Sequence, residues 1–323
     1  MPGSQPDFQK LIEFIRDEVN RDLTNLPIPD KPAYFYDPIR YSLRATGKRF
    51  RPILVHLVGR TLKADPDSLM KMALAVELLH NFTLIHDDIM DNDAIRHGQP
   101  TIHSKWDASK AILAGDGIFT MAQLLLSCIP DRANEVFGIF NQACLEVCEG
   151  QALDKEFEND LSIADEQYLD MIEKKTGALL GACAALPAIL TNAGKETAEN
   201  FDQFGRALGK GFQIHDDLLE IYADPEDMGK SLGSDIAEGK QTMMVILARN
   251  EFGQEWEKIT SDPDPETLMK RIRDFFSKTD IENKTRSMAK LYFDKARDSL
   301  HKIETIDREE LLKFVHLVEK RTY

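Results

Sequence analysis

Apolar residues recur along this chain with helical spacing, and no stretch alternates convincingly with period two. The pattern predicts an all-α fold with almost no strand. The strongest segment is Met72 to Ile85, MALAVELLHNFTLI, which is apolar nearly all round and so reads as a buried helix. Asp65-Pro66-Asp67-Ser68 supplies its start signal, and it runs to about Asp91. Helical spacing also covers Phe8 to Leu23 and Ile53 to Leu62. Between them, Leu26 to Pro38 holds four prolines and reads as a loop or extended arm. Asn92 to Ser104 is a polar turn region. Helices are expected over Ala108 to Cys128, Arg132 to about Phe157, and Asp165 to Thr191, with Pro187 a candidate kink. A further helix spans Lys195 to Tyr222. Ala223 to Gly239, rich in Gly, Asp and Lys, reads as a functional loop. Lys240 to Phe252 is helical, Ser261 to Pro265 a turn, and three amphipathic segments close the chain.

Two of these helices end in the same way. Ile85-His86-Asp87-Asp88-Ile89-Met90-Asp91 is echoed by Ile214-His215-Asp216-Asp217-Leu218-Leu219-Glu220. Each copy places acids at i, i+1 and i+4. On a helix, i and i+4 share a face with Cβ atoms roughly 6 Å apart, a span that suits one divalent cation between two carboxylates. Solvated surface acids are the competing reading. It is weakened by the apolar segment before Asp87, because unpaired carboxylates at the end of a core helix are costly. Carboxylates without Cys or His select hard cations. Mg²⁺ in particular binds through one or two carboxylates plus substrate phosphates. Two such clusters facing each other would hold several Mg²⁺ around one phosphorylated ligand. His86 and His215 stand beside the acids as metal ligands or, the favoured reading, as structural groups.

The net charge is −15 over 323 residues, and no basic stripe is visible, which argues against a nucleic-acid partner. Against that acidity, cations beside each acid cluster stand out as phosphate clamps: Lys48 and Arg51 in Gly47-Lys48-Arg49-Phe50-Arg51-Pro52, Arg96 after the first cluster, Lys230 and Lys240 after the second. Gly205 and Gly209 predict close helix packing, and Gln213 points toward Asp216 and Asp217. No composition break or long linker divides the chain, so residues 1–323 are expected to form one large helical domain. The four cysteines, Cys128, Cys144, Cys148 and Cys183, lie in apolar helical stretches and read as buried free thiols suited to a reducing cytoplasm. Neither a signal peptide nor a membrane span is expected.

The motifs then assemble into a resemblance. GKRFRP (47–52), HNFTLIHDDIMDNDAIRHGQPTIH (80–103), GD (115–116), GQALD (150–154), KTGAL (175–179), GKGFQIHDDLLE (209–220) and GKSLGSDIAEGKQT (229–242) occur in the order found in trans-type polyprenyl synthetases. The sequence is similar to these short-chain isoprenyl diphosphate synthases over nearly its whole length. The resemblance implies an isoprenoid-synthase-type helical bundle around a central cavity, normally a homodimer, that joins an allylic diphosphate to isopentenyl diphosphate with Mg²⁺. By position it implies Asp87, Asp91 and Asp216 as Mg²⁺ ligands, assisted by Asp88, Asp217 and Glu220. It implies Arg96, Lys175, Thr176, Gln213, Lys230 and Lys240 around the allylic diphosphate, with Lys175 and Thr176 supporting the allylic cation. Gly47, Lys48, Arg51 and His80 would hold isopentenyl diphosphate, joined by His97, which stands where the family has a second Arg. Glu220 likewise replaces the usual Asp. Phe82 and small Thr83, five and four positions before Asp87, resemble the chain-length pattern of geranylgeranyl diphosphate synthases, with farnesyl diphosphate as the alternative product. Helical geometry alone leaves Phe82 about 140° round from Asp87, where core packing explains it equally well. A terpene cyclase or head-to-head synthase on the same bundle, and a non-catalytic partner subunit, are the other readings. The first is weakened by Lys48, Arg51 and His80, the second by the presence of both acid clusters.

Overall fold

The structure, a computed structural model, describes residues 5–45, 47–222, 239–261, 265–304 and 306–321. They fall into two compact units. One comprises Met1–Cys144, Ala182–Asp202 and Ile303–Phe314; the other comprises Leu145–Gly181, Gln203–Lys302 and Val315–Tyr323.

The first unit is organised on the long apolar helix. It contains α1 (Gln5–Thr24), α2 (Ala33–Leu43), α3 (Phe50–Thr61), α4 (Pro66–Met90), the short strands β1 (Ile95–Arg96) and β2 (Gln99–Pro100), α5 (Ile102–Lys105) and α6 (Ala108–Ser127). Asp65 caps α4 by accepting the Ser68 N–H at 2.8 Å, an interaction that contributes about 1 kcal/mol. Every residue from Met72 to Leu79 is buried, as an all-round apolar helix requires, and α1, α3, α5 and α6 pack on it. α4 is long and apolar enough to cross a membrane by length and composition, and 67% of that apolar window is buried inside the fold.

One expectation is corrected here. The loop over Leu26 to Pro38 ends early, because α2 starts at Ala33 and carries Pro38 inside it. A proline within a helix loses a backbone hydrogen bond and costs about 3 kcal/mol. Burial of Pro38, Ile39 and Leu43 in the packing of α2 on α6 offsets that cost. Proline content alone therefore misled.

α7 (Ala133–Phe157) gives its first part to this unit and its remainder to the second. The second unit continues with α8 (Asp165–Ile172), a π-helical turn (Glu173–Gly177), the start of α9 (Ala178–Leu190) and α10 (Lys195–Tyr222) from Gln203 onward. It is completed by α11 (Met243–Thr260), α12 (Pro265–Lys278), α13 (Ile281–His301) and the end of α14 (Glu309–Glu319). Leu218, Met244, Trp256, Ile272 and Phe276 form its apolar core. Trp256 stacks on Phe276 with centroids 5.5 Å apart. The helix expected from Lys240 starts at Met243, capped by Thr242. It continues past Phe252, where the backbone leaves helical geometry at φ −136, ψ 31. The helix expected over Asp165 to Thr191 is interrupted by the π-helical turn, and α9 carries Pro187 inside it and runs on to Leu190.

Glycines let helices reach that turn. A Cβ on Gly150 of α7 would stand 2.2 Å from the Lys175 nitrogen, and one on Gly209 of α10 would stand 2.6 Å from Gly177 Cα. Gly205 meets the Leu180 carbonyl oxygen at 2.2 Å in the same sense, so the close packing expected at Gly205 and Gly209 is present. None of the four cysteines forms a disulfide, and only Cys144 and Cys183 are buried. Cys148 lies on the outward stripe of α7, and Cys128 is the residue that ends α6, past its last buried position.

Candidate active site

The first acid cluster closes α4. Asp87 and Asp91 are one turn apart, with the Asp91 N–H donating to the Asp87 carbonyl at 2.8 Å. α4 carries no basic residue in its last turn. Acids there meet the negative end of the helix dipole, so the cluster is a place where positive charge is stabilised. Part of that charge is internal. Asp88 is buried, and Arg96 Nε donates to it at 2.5 Å, while Arg96 Nη2 donates to Asp93 at 3.2 Å. The clamp cation expected after the first cluster is thus oriented by two carboxylates. His97 and Gly98 follow it with φ of 50° and 73°, and they turn β1 back onto β2. Two successive positive φ values match the twist of a tight hairpin, and histidine is among the side chains that enter this region most readily.

In GKRFRP, Arg49 does structural work that leaves Lys48 and Arg51 as the clamp candidates. Arg49 is buried in the left-handed region at φ 53°, and it donates to Glu77 at 2.6 Å, Asn20 at 2.8 Å and the Ala45 carbonyl at 2.6 Å. Lys48 is exposed. Arg51 Nη1 lies 3.1 Å from His80 Nε2. An arginine can only donate, so His80 accepts and is neutral. Burial, then the Arg51 charge, push the His80 pKa well below 6.5. Two residues expected to hold isopentenyl diphosphate are therefore joined. Phe82 packs against Phe119 at 5.3 Å and His86 at 4.7 Å between centroids. The Thr83 hydroxyl donates to the His80 carbonyl at 2.8 Å. His86 turns to α6, 3.4 Å from the Ile112 carbonyl, in keeping with a structural role.

The second cluster lies in the last two turns of α10, another helix end without a basic residue. Its countercharge comes from the far end of the chain. Arg321 Nη1 is 2.9 Å from Asp216 Oδ1, and its guanidinium lies 5.0 Å over the Phe212 ring. Asp217 is buried; it accepts from Gln213 Nε2 at 3.0 Å and from the Tyr168 hydroxyl at 2.5 Å. The Thr176 hydroxyl donates to Gln213 Oε1 at 2.9 Å. Lys175 Nζ is held 2.7 Å from Asp154. Lys175 and Thr176 both sit in the π-helical turn, an irregularity frequent at functional sites. Glu220 and Lys240 are half-buried, and His215 meets Phe293 edge-on at 6.5 Å. Lys230 lies outside the described residues.

Among the described residues no three acidic, His or Cys side chains converge into a ready-made metal cage. The donors come as carboxylate pairs, which fits Mg²⁺: it keeps its waters and takes one or two carboxylates together with phosphate oxygens. Asp87 with Asp91, and Asp216 with Glu220, are the pairs that fit.

A family profile described as polyprenyl synthetase matches residues 32–274. The chain belongs to the polyprenyl synthetase family. This polyprenyl synthetase is 44% identical over 226 residues to a geranylgeranyl diphosphate synthase of Methanosarcina mazei, covering 69% of each chain. Its all-α fold is similar to the crystal structure of a geranylgeranyl pyrophosphate synthetase from Pyrococcus horikoshii, with a TM-score of 0.88 and 32% identity over 98% of this chain and 100% of that one. It is also similar to a polyprenyl synthase from Caulobacter crescentus complexed with calcium and isoprenyl diphosphate, with a TM-score of 0.87 and 28% identity over 99% of each chain.

Several partners of these acids escaped the sequence. Tyr168 and Arg321 lie in no motif that would tie them to the acids, and Asp93, inside the stretch 80–103, carries no sign there that it orients Arg96. Asp154 and Gln151 lie in GQALD, but nothing in that string says that Asp154 reaches Lys175, or that Gln151 is buried with both amide atoms lacking a hydrogen-bond partner. Such a buried amide is a candidate contact for water or ligand.

Proposed function

We propose that this polyprenyl synthetase is a short-chain isoprenyl diphosphate synthase that makes geranylgeranyl diphosphate, with farnesyl diphosphate the next candidate. It transfers an allylic group head to tail onto isopentenyl diphosphate. The allylic carbon–oxygen bond breaks and its electron pair leaves with diphosphate. The double bond of isopentenyl diphosphate then attacks the cation, and a proton passes to the departing diphosphate. Asp87 with Asp91, and Asp216 with Glu220, would hold Mg²⁺, which would neutralise the charge of the leaving diphosphate. Arg96 and Lys175, each aimed by a carboxylate, add fixed positive charge there. Arg51 and His80 position the second diphosphate, with Lys48 and His97 beside them. Lys240 and Lys230 complete the allylic clamp.

One observation carries the reading: the same acid spacing recurs at the negative ends of two long helices, α4 and α10. The calcium and isoprenyl diphosphate of the Caulobacter structure support it. The whole chain acts as one synthase domain. Ile112, Leu113 and Leu124, exposed apolar side chains on α6, support a homodimer. Free thiols suit the cytoplasm.

The test is incorporation of labelled isopentenyl diphosphate with each allylic primer and Mg²⁺, with product length read by chromatography. No incorporation with any primer would overturn the synthase reading. Phe82→Ala is expected to lengthen the product, since it removes the ring that packs on Phe119 at the position of the chain-length pattern; an unchanged distribution returns Phe82 to core packing.

A further inference from the structure

Resting on the proposed condensation, the hydrogen bonds of the second unit assign a direction to its buried polar network. A carboxylate can only accept, so Asp217 dictates what its neighbours present. Tyr168, 2% exposed, must donate its hydroxyl proton to Asp217 Oδ2 at 2.5 Å. Gln213 must turn its amino group to Asp217 Oδ1 at 3.0 Å. Its carbonyl oxygen is then the atom that meets Thr176, and the Thr176 hydroxyl must donate to it at 2.9 Å. Proton direction thus runs from both ends toward Asp217: Tyr168 to Asp217, and Thr176 to Gln213 to Asp217. With its proton committed, Thr176 Oγ1 has only lone pairs to offer any other group.

We propose that Tyr168 and Asp217 are positioning residues that hold Thr176 as a hydrogen-bond acceptor toward the cationic allylic group. An electron-poor carbon is stabilised by oxygen lone pairs and destabilised by a donated proton, so the direction of the network matters as much as its presence. Without the Asp217 charge, the Gln213 amide can rotate by half a turn, and Thr176 is then free to point its proton outward. Asp217 in this reading is a hydrogen-bond hub. It is buried at 6% exposure, and each of its two oxygens accepts a side-chain donor. The metal role of the proposed function falls to Asp87, Asp91, Asp216 and Glu220.

The experiment uses the full chain, with Tyr168→Phe and the near-isosteric Asp217→Asn. Steady-state kinetics give kcat and KM for both diphosphates. Calorimetry with Mg²⁺ and inorganic pyrophosphate reads metal and anion binding independently of turnover. Losing one hydrogen bond to a charged group corresponds to about 10- to 100-fold, and that loss is expected in kcat. KM values and Mg²⁺–pyrophosphate affinity should stay within about twofold. Wild-type kcat in both variants overturns the proposal, as does a tenfold or larger loss of Mg²⁺–pyrophosphate affinity in Asp217→Asn, which would make Asp217 a metal ligand. Should Tyr168→Phe lose its native melting transition, Asp217→Asn alone decides by the same criteria. A wild-type chain that incorporates no isopentenyl diphosphate sinks the synthase reading itself, a result separable from any variant's failure.

Discussion

At the residue scale, the acids of each cluster divide their work. In both, one acid is matched by an arginine of the fold, Asp88 by Arg96 and Asp216 by Arg321. Asp87 and Asp216 begin the i, i+4 pairs assigned to Mg²⁺. Replacing either by Ala should lower kcat about 10³-fold, the equivalent of about 4 kcal/mol in the barrier. Turnover near wild type in both variants would refute the metal assignment. A different residue governs acid sensitivity. Burial, reinforced by the Arg60 charge, pushes the His56 pKa down to about 4. An unfolded histidine titrates near 6.5, so between those values the unfolded chain binds more protons than the native one. Stability therefore rises with pH across this window and is fully present above it, by about 3 kcal/mol at most. Urea midpoints measured from pH 4.5 to 7.5 should show that rise, and His56→Gln should flatten it. His80, depressed in the same direction, adds to the slope that remains.

At the element scale, the π-helical turn between α8 and α9 decides where Lys175 and Thr176 point, and glycines on α7 and α10 decide how closely the helices approach it. Gly209→Ala puts a methyl 2.6 Å from Gly177 Cα, a backbone atom that cannot swing aside. The gain in helix propensity, up to about 1 kcal/mol, is outweighed by overpacking of about 1–3 kcal/mol. A lower unfolding midpoint and reduced kcat are expected. Gly138→Ala, on α7 with nothing within 4 Å of the new carbon, should stabilise by about 0.5–1 kcal/mol. Equal effects of the two substitutions would show that propensity, not packing, sets the outcome. Helix boundaries are legible where apolar periodicity is strong: the pattern predicts a helix over Lys195 to Tyr222, and α10 has those bounds. They failed at α2, where four prolines masked a helix stabilised by burial, and the π-helical turn left no trace in the periodicity because it shifts the spacing by a single residue.

At the scale of the whole molecule, a chain of net charge −15 is expected to bind an anionic substrate through local neutralisation rather than through its overall field. Mg²⁺ and pyrophosphate should therefore stabilise it cooperatively. Together, at 100 times the dissociation constant, they should raise stability by about 2.7 kcal/mol, and each alone by far less. Thermal melts with Mg²⁺, pyrophosphate, both, and both plus chelator measure this; purely additive shifts would argue against a shared metal–diphosphate complex. The sequence by itself determined the helical class, the acid pairs and the family, because helical period and i, i+4 spacing are local properties that survive without tertiary contacts. Only the tertiary structure decided which partner each of several acids takes. Arg321 reaches Asp216 from more than one hundred residues away, Tyr168 reaches Asp217 across 49, and Arg49 crosses 28 to Glu77. Such pairings depend on which side chains packing brings within about 3 Å, and one-dimensional spacing carries no record of that distance.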